Sequence, residues 1–124
     1  MTTSIQAQWA YHKYWVMGHS QAHYNAIRLL FKGNDWSADK EKDFYRLLAE
    51  AQAIAPTGAT LRTAYQHIWG YFKKIANDEE RDAYKEMIGD ETTYEELGEF
   101  LVQMIENYQP KYLVNSKFYE DGGF

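Results

Sequence analysis

The apolar and histidine positions at the start of the chain fall at Ile5, Trp9, His12, Val16, His19, His23, Ala26 and Leu30, in alternating steps of four and three. That rhythm puts them all on one stripe of an α-helix, and it is incompatible with a strand, whose faces repeat every two residues. Gly18 and Ser20 interrupt it. A glycine inside a helix costs about 1 kcal/mol relative to alanine, and serine is a good N-cap. The spacing therefore predicts a long N-terminal helix kinked near Gly18-Ser20, running over 4–18 and 20–32 and stopped by Gly33-Asn34.

The rest of the chain follows the same period. Ser37 caps a helix that buries Phe44, Leu47, Leu48, Ala51 and Ile54, closed by Pro56-Thr57-Gly58. A third helix is predicted from Thr60 to about Ala76, with Leu61, Ala64, Tyr65, Ile68, Phe72 and Ile75 facing inward. Asn77-Asp78 opens a short helix ending at Gly89. Thr92 with Glu95, or Thr93 with Glu96, forms a capping box for a helix that buries Leu97, Phe100, Leu101, Met104, Ile105 and Tyr108 and stops before Pro110. Lys111 to Tyr119 is apolar enough to dock, and Asp121 to Phe124 reads as a loose tail. No segment alternates with period two and no hairpin signal appears. The expected fold is all-α, a single compact bundle of about six helices over 1–124.

A chain of 124 residues with 45% hydrophobic and 17% aromatic content can bury a real core and is not disordered. It has no cysteine, which excludes disulfides, thiolate metal sites and a cysteine nucleophile. No basic leader precedes an apolar run, and no stretch approaches the ~18 apolar residues of a membrane span. A cytoplasmic, soluble protein with no membrane partner is expected.

The net charge of −5 is unevenly spread. Residues 1–34 carry Lys13, Arg28 and Lys32 and no acid; residues 62–74 carry Arg62, Lys73 and Lys74 and no acid. The acidity is concentrated in residues 75–109. Polarised charge of this kind steers an anionic partner to one face.

The two cationic blocks contain the two most unusual stretches, residues 12–20 and residues 66–74. Together they hold His12, His19, His67 and three lysines, and each has a glycine inside a helical pattern. They are expected to face each other across one surface. Lys13, Arg28, Lys73 and Lys74 would meet phosphates, with Tyr14, Tyr24, Trp69 and Tyr71 as stacking surfaces for bases. The opposing reading is that the lysines coat solvated faces and the aromatics fill the core.

Histidine spacing also permits other chemistry. His12, His19 and His23 can share a helical face suited to zinc, but no acid in that helix supports such a shell, so no metal is expected. An acid–base pair of His12, His19 or His67 with Lys13 or Lys73 is conceivable. No nucleophile–base–orienter set, phosphate loop or dinucleotide fingerprint accompanies it, and no cofactor is expected.

At these residues the sequence resembles the YbgA-like family, domain of unknown function 1722. The first motif matches at His12-Lys13-Tyr14, Met17, His19-Ser20, Tyr24 and Arg28-Leu29; the second matches at Gln66-His67-Ile68 and Gly70-Tyr71-Phe72-Lys73-Lys74. Thr57 matches as well, and the segment from Tyr112 to Tyr119 resembles the family's tyrosine-rich end. The chain departs from the pattern at Gly58-Ala59-Thr60, at Thr63, and in the acidic stretch from Tyr94 to Glu99.

Family members are often fused to a domain similar to thiouracil desulfidases, with the YbgA-like part thought to hold thiolated tRNA. The resemblance therefore implies a free-standing accessory or binding module that meets RNA (tRNA), with a desulfidase-type partner acting in trans. The ligand-binding residues expected on this reading are His12, Lys13, His19, Tyr24, Arg28, Gln66, His67, Tyr71, Lys73 and Lys74. The alternatives are a small enzyme with a His/Lys site between the motif helices, or a structural or oligomerisation protein using its aromatic surface.

Overall fold

The computed structural model describes residues 4–33 and 35–124. Among them are eight helices and no strand: α1 (Ile5–His19), α2 (Gln21–Leu30), α3 (Ala38–Gln52), α4 (Gly58–Trp69), α5 (Asp78–Ile88), α6 (Tyr94–Tyr108), α7 (Lys111–Val114) and α8 (Lys117–Glu120). A 3-10 turn over Glu91–Thr93 leads into α6. The all-α bundle expected from the periodicity is present, and none of these helices is long and apolar enough to cross a membrane.

The predicted break in the N-terminal helix falls at Ser20. Its backbone is extended, and its hydroxyl accepts from His23 N, so it caps α2. Gly18 is not the break: it is helical and buried. A Cβ there would lie 2.6 Å from Phe124 Cζ, so the glycine reflects close approach of a ring. Gly33 adopts φ +97 at the end of the α2 turn, and Asn34, the other half of the expected stop, lies outside the described residues.

Helix α1 is the shared spine of two cores. On one side Met17 packs with Ile68 and Phe72 beyond α4, with Leu97, Leu101 and Ile105 of α6, and with Leu113 and Phe118 of the C-terminal turns. On the other side Trp9, Trp15 and Val16 pack with Ile27 of α2 and with Phe44, Leu47 and Ala51 of α3. A helix gripped from both sides buries more than one stripe, which is why Tyr14, Trp15, Val16, Met17 and Gly18 are buried in succession. Full burial of each large side chain contributes about 1.5–3 kcal/mol.

Several expectations are corrected. Helix α3 ends at Gln52, and Ile54, expected to be buried, is 36% exposed. Helix α4 begins two residues before Thr60, because Thr57 and Thr60 form a reciprocal capping box. It stops at Trp69, not near Ala76. Beyond it the backbone tightens into turns, with Tyr71 N donating to Ile68 O and Phe72 N to Trp69 O. These turns bury Phe72 and Ala76 and leave Ile75 55% exposed, against the helical extrapolation.

The capping box expected at Thr92 or Thr93 is absent. Thr93 precedes α6 without a side-chain cap, because its hydroxyl donates to Met87 O and Asp90 O instead. Asp90 caps the 3-10 turn through Thr92 N. The tail is not loose either. Gly122 and Gly123 take positive φ, Gly123 N donates to Phe118 O, and the Phe124 ring packs on Phe118 and Tyr65.

Candidate functional site: a tyrosine junction between two cationic segments

The two unusual stretches lie side by side, as expected, but tyrosines rather than histidines join them. The Tyr14 hydroxyl of α1 and the Tyr71 hydroxyl, two residues past α4, are hydrogen-bonded at 2.9 Å, with their rings edge to face. Tyr112 of α7 stacks on Tyr71 at 6.0 Å between centroids and 20° between planes, and meets Tyr14 edge-on. Tyr24 of α2 is half-buried against both cores beside this group.

The helical turn sets each of these positions. Tyr14 lies on the α4-facing side of the spine three residues before Met17, and Tyr71 is carried there by the tight turns after Gly70. Burial, then the hydrogen bond to Tyr71, pushes the Tyr14 phenol well above its ordinary range. Burial, followed by Tyr71 and Tyr24, raises Tyr112. Both phenols are neutral at physiological pH. They can stack or hydrogen-bond but cannot serve as phenolate bases.

The histidines disperse, contrary to the expected pooling. His12 Nδ1–H donates to Gln8 O at 2.8 Å, and the ring lines a cavity of about 300 Å³ with Trp15, Tyr45, Leu48 and Lys117, on the α3 and α8 side. Burial lowers its pKa, overcoming the opposing effect of the Gln8 carbonyl, and Lys117 lowers it further. His19 lies on the Trp15 ring at 4.1 Å and donates Nδ1–H to Ile54 O, at the end of the α3 turn; its Nε2 is buried without a hydrogen-bond partner. His67 is exposed and donates to Thr63 O of its own helix. No two of these rings hydrogen-bond each other, and among the described residues no group of three or more His, Asp or Glu is placed to hold a metal.

His23 has a different task. Its Nε2 donates to Glu50 at 3.1 Å, and Glu50 is also held by Arg46 at 2.7 Å. Its Nδ1 accepts from the Ser20 hydroxyl at 2.8 Å. The arrangement looks like a serine–histidine–carboxylate relay, but Ser20 is 8% exposed and its hydroxyl already caps α2. It is a clamp that fastens the α1–α2 kink to α3.

The cations of the two segments are not neutralised. Among the described residues no carboxylate lies within ion-pair distance of Lys13, Arg28, Lys32, Arg62, Lys73 or Lys74; Lys42, Lys85 and Lys111 are likewise unpaired, and Lys40, Arg46, Arg81 and Lys117 are paired. Arg28, Lys73 and Lys74 are exposed, Lys13 is half-buried, and Gln66 is exposed on α4. Arg28 and Lys32 flank an open cleft of about 580 Å³ with Asn25, Leu29 and Phe31.

Trp69, expected as a stacking surface, is 8% exposed and already stacked on Tyr84 at 4.3 Å. The aromatic that sequence reasoning missed at the junction is Tyr112. Lys111-Tyr112 repeats the Lys13-Tyr14 dipeptide, a signal legible in the sequence.

The family model described as a protein of unknown function (DUF1722) matches residues 13–121. The chain belongs to that family. The DUF1722 match runs from Lys13, one residue before the junction's first tyrosine, through all of its elements to α8 and Asp121. No curated protein and no solved structure matches the chain.

Proposed function

We propose that this DUF1722 chain is a non-catalytic binding module for a phosphate-bearing ligand, namely RNA. Lys13, Arg28, Lys73 and Lys74 meet phosphates, and the tyrosine junction holds the two cationic segments in fixed register. His67 and Gln66, exposed on α4, contact the backbone or a base. His19, anchored by Nδ1 to Ile54 O, ties the end of α1 to the turn after α3, while His12 bonds to Gln8 O within α1 itself. By the family resemblance the RNA is tRNA, and a desulfidase-type enzyme of thiolated-nucleoside metabolism acts on it in trans.

The observation that carries this reading is the grouping of six cations, none with an ion-pair partner among the described residues, in two acid-free stretches (residues 1–34 and 62–74) of a chain of net charge −5. Acids outnumber bases 18 to 13, yet among the described residues only Asp35, Asp43, Glu50, Asp78 and Asp121 form ion pairs, none of them with these six cations. Cations left free in this way suit an anionic partner. Phosphate contacts release counterions, so affinity must fall steeply with salt. Filter binding of bulk tRNA at two salt concentrations tests the reading. Strong binding at low salt that weakens by an order of magnitude or more on a severalfold increase supports it. Salt-insensitive binding, or none at low salt, overturns it.

A further inference from the structure

A trough of about 520 Å³ runs between the first two turns of α1 and the short helix α7. A second hollow of about 380 Å³ shares Ala7, Tyr11 and Asn115 with it and extends it to His12. Nothing in the family match assigns a role to this place. Its α1 side carries Ala7 and Ala10, three apart on one face, so no bulky side chain fills it. Tyr11 and Tyr112 line it with aromatic surface, and Tyr112, 38% exposed, has its other neighbours in the tyrosine junction.

The polar groups are specific. Lys111 has no carboxylate partner among the described residues. Asn115 Nδ2 donates to Lys111 O at 3.2 Å, which leaves its Oδ1 as an open acceptor. His12 uses Nδ1–H on Gln8 O, so Nε2 of the neutral ring is an acceptor as well. The Tyr11 hydroxyl donates to Glu120, whose carboxylate repels an anion on that side. An occupant therefore needs a flat apolar ring, an N–H donor at its edge, and a negative charge placed toward Lys111.

We propose that this trough holds one unstacked nucleobase of a single-stranded RNA segment, with its ring on Tyr112 and Tyr11, its exocyclic amine toward Asn115 and its phosphate toward Lys111. The proposal rests on the RNA-binding reading above and names the part of the RNA that is read. Aromatic stacking of an unpaired base is the usual means of holding single strands, and each base stacked is worth roughly a tenfold or larger change in affinity.

The test titrates the full chain with adenosine, uridine and self-complementary duplex hexaribonucleotides, and with bulk tRNA. The adenosine hexamer binds best, because the purine offers an exocyclic amine and a larger stacking face than uracil, and the duplex binds worst. Tyr112→Ala weakens the adenosine hexamer about tenfold, and Tyr112→Phe retains binding. Ala10→Trp fills the trough and abolishes hexamer binding without touching Tyr14 or Tyr71. Tyr112→Ala could also loosen the junction, so Ala10→Trp and Lys111→Glu serve as independent variants, each checked for an unchanged melting curve. If tRNA binds with steep salt dependence but the hexamers do not bind, or ignore Ala10→Trp, the trough assignment is wrong and the RNA-binding reading stands. If tRNA itself does not bind at low salt, both are lost.

Discussion

The Phe124 ring occupies the space that a side chain on Gly18 would take: a Cβ built on Gly18 meets Phe124 Cζ at 2.6 Å. A residue near the end of the chain is thereby seated on the central helix, beside Tyr65 and Phe118.

Two opposing effects decide what Gly18→Ala does. Alanine in place of glycine inside a helix contributes about 1 kcal/mol, and unseating a partly buried ring costs about 1–2 kcal/mol. In the native background the change is neutral to destabilising. In a Phe124→Ala background, where the space is empty, the same change stabilises by about 0.5–1 kcal/mol. Urea unfolding of the four proteins of this double-mutant cycle reads the sign change. Equal effects of Gly18→Ala in both backgrounds would show that the ring does not set the glycine.

The Tyr14–Tyr71 hydrogen bond joins two elements that are otherwise held by apolar packing. Removing one hydroxyl leaves the other without its partner at a half-buried position. Tyr14→Phe or Tyr71→Phe alone therefore costs about 1 kcal/mol. Removing both leaves no orphan group, so the double variant costs less than the two single costs added together. Additive costs in chemical denaturation would mean that the two hydroxyls do not interact.

The sequence reveals some of this junction and conceals the rest, for physical reasons. The four-three rhythm, the Ser20, Ser37 and Asn77 caps and the all-helical class follow from local chemistry, and each is present, whereas the Thr57 cap that starts α4 early is legible only as part of a breaker. The adjacency of the two motif segments, expected from their shared cationic and histidine content, is present as well. What local chemistry could not give was direction. A histidine on a stripe can turn to any neighbour, and His12, His19 and His67 each turned to a backbone carbonyl. A helix sandwiched between two cores has no single inner face, so Tyr14 beside the expected stripe became the contact residue. The end of α4 was illegible because Phe72 and Ala76 fit a helical period as well as they fit the tight turns that bury them.

Several phenols are shifted upward by their surroundings, which fixes the alkaline limit of the fold. Tyr65 and Tyr84 are each pushed to about 12, in both cases chiefly by burial. Tyr11 also reaches about 12, chiefly through its hydrogen bond to Glu120. A group whose folded pKa is raised binds its proton more tightly in the folded state. Its contribution is complete below the unfolded value of about 10 and is lost as pH rises from there through the folded value. Stability should be flat in this respect up to about pH 9 and fall steeply above 10. Tyrosinate absorbance and helical circular dichroism should then change together. Full tyrosine ionisation with the helices intact would contradict the burial described here.

The proposed RNA contacts give the cations different shares of the salt dependence. Lys73 and Lys74 lie in the turns after α4, exposed and free of carboxylates among the described residues, and Arg81 is tied to the Lys73 carbonyl and to Asp78. If both lysines neutralise phosphates, Lys73→Ala with Lys74→Ala removes two counterion-releasing contacts. The plot of log affinity for tRNA against log salt then becomes shallower by about 1.5–2. Arg81→Ala leaves that slope unchanged, because its charge is already spent on Asp78. An Arg81 effect as large as the lysine effect would move the interface from the tyrosine junction toward α5. A lysine pair that alters affinity equally at all salt concentrations would mean that these ammonium groups stabilise the turn rather than meet phosphate.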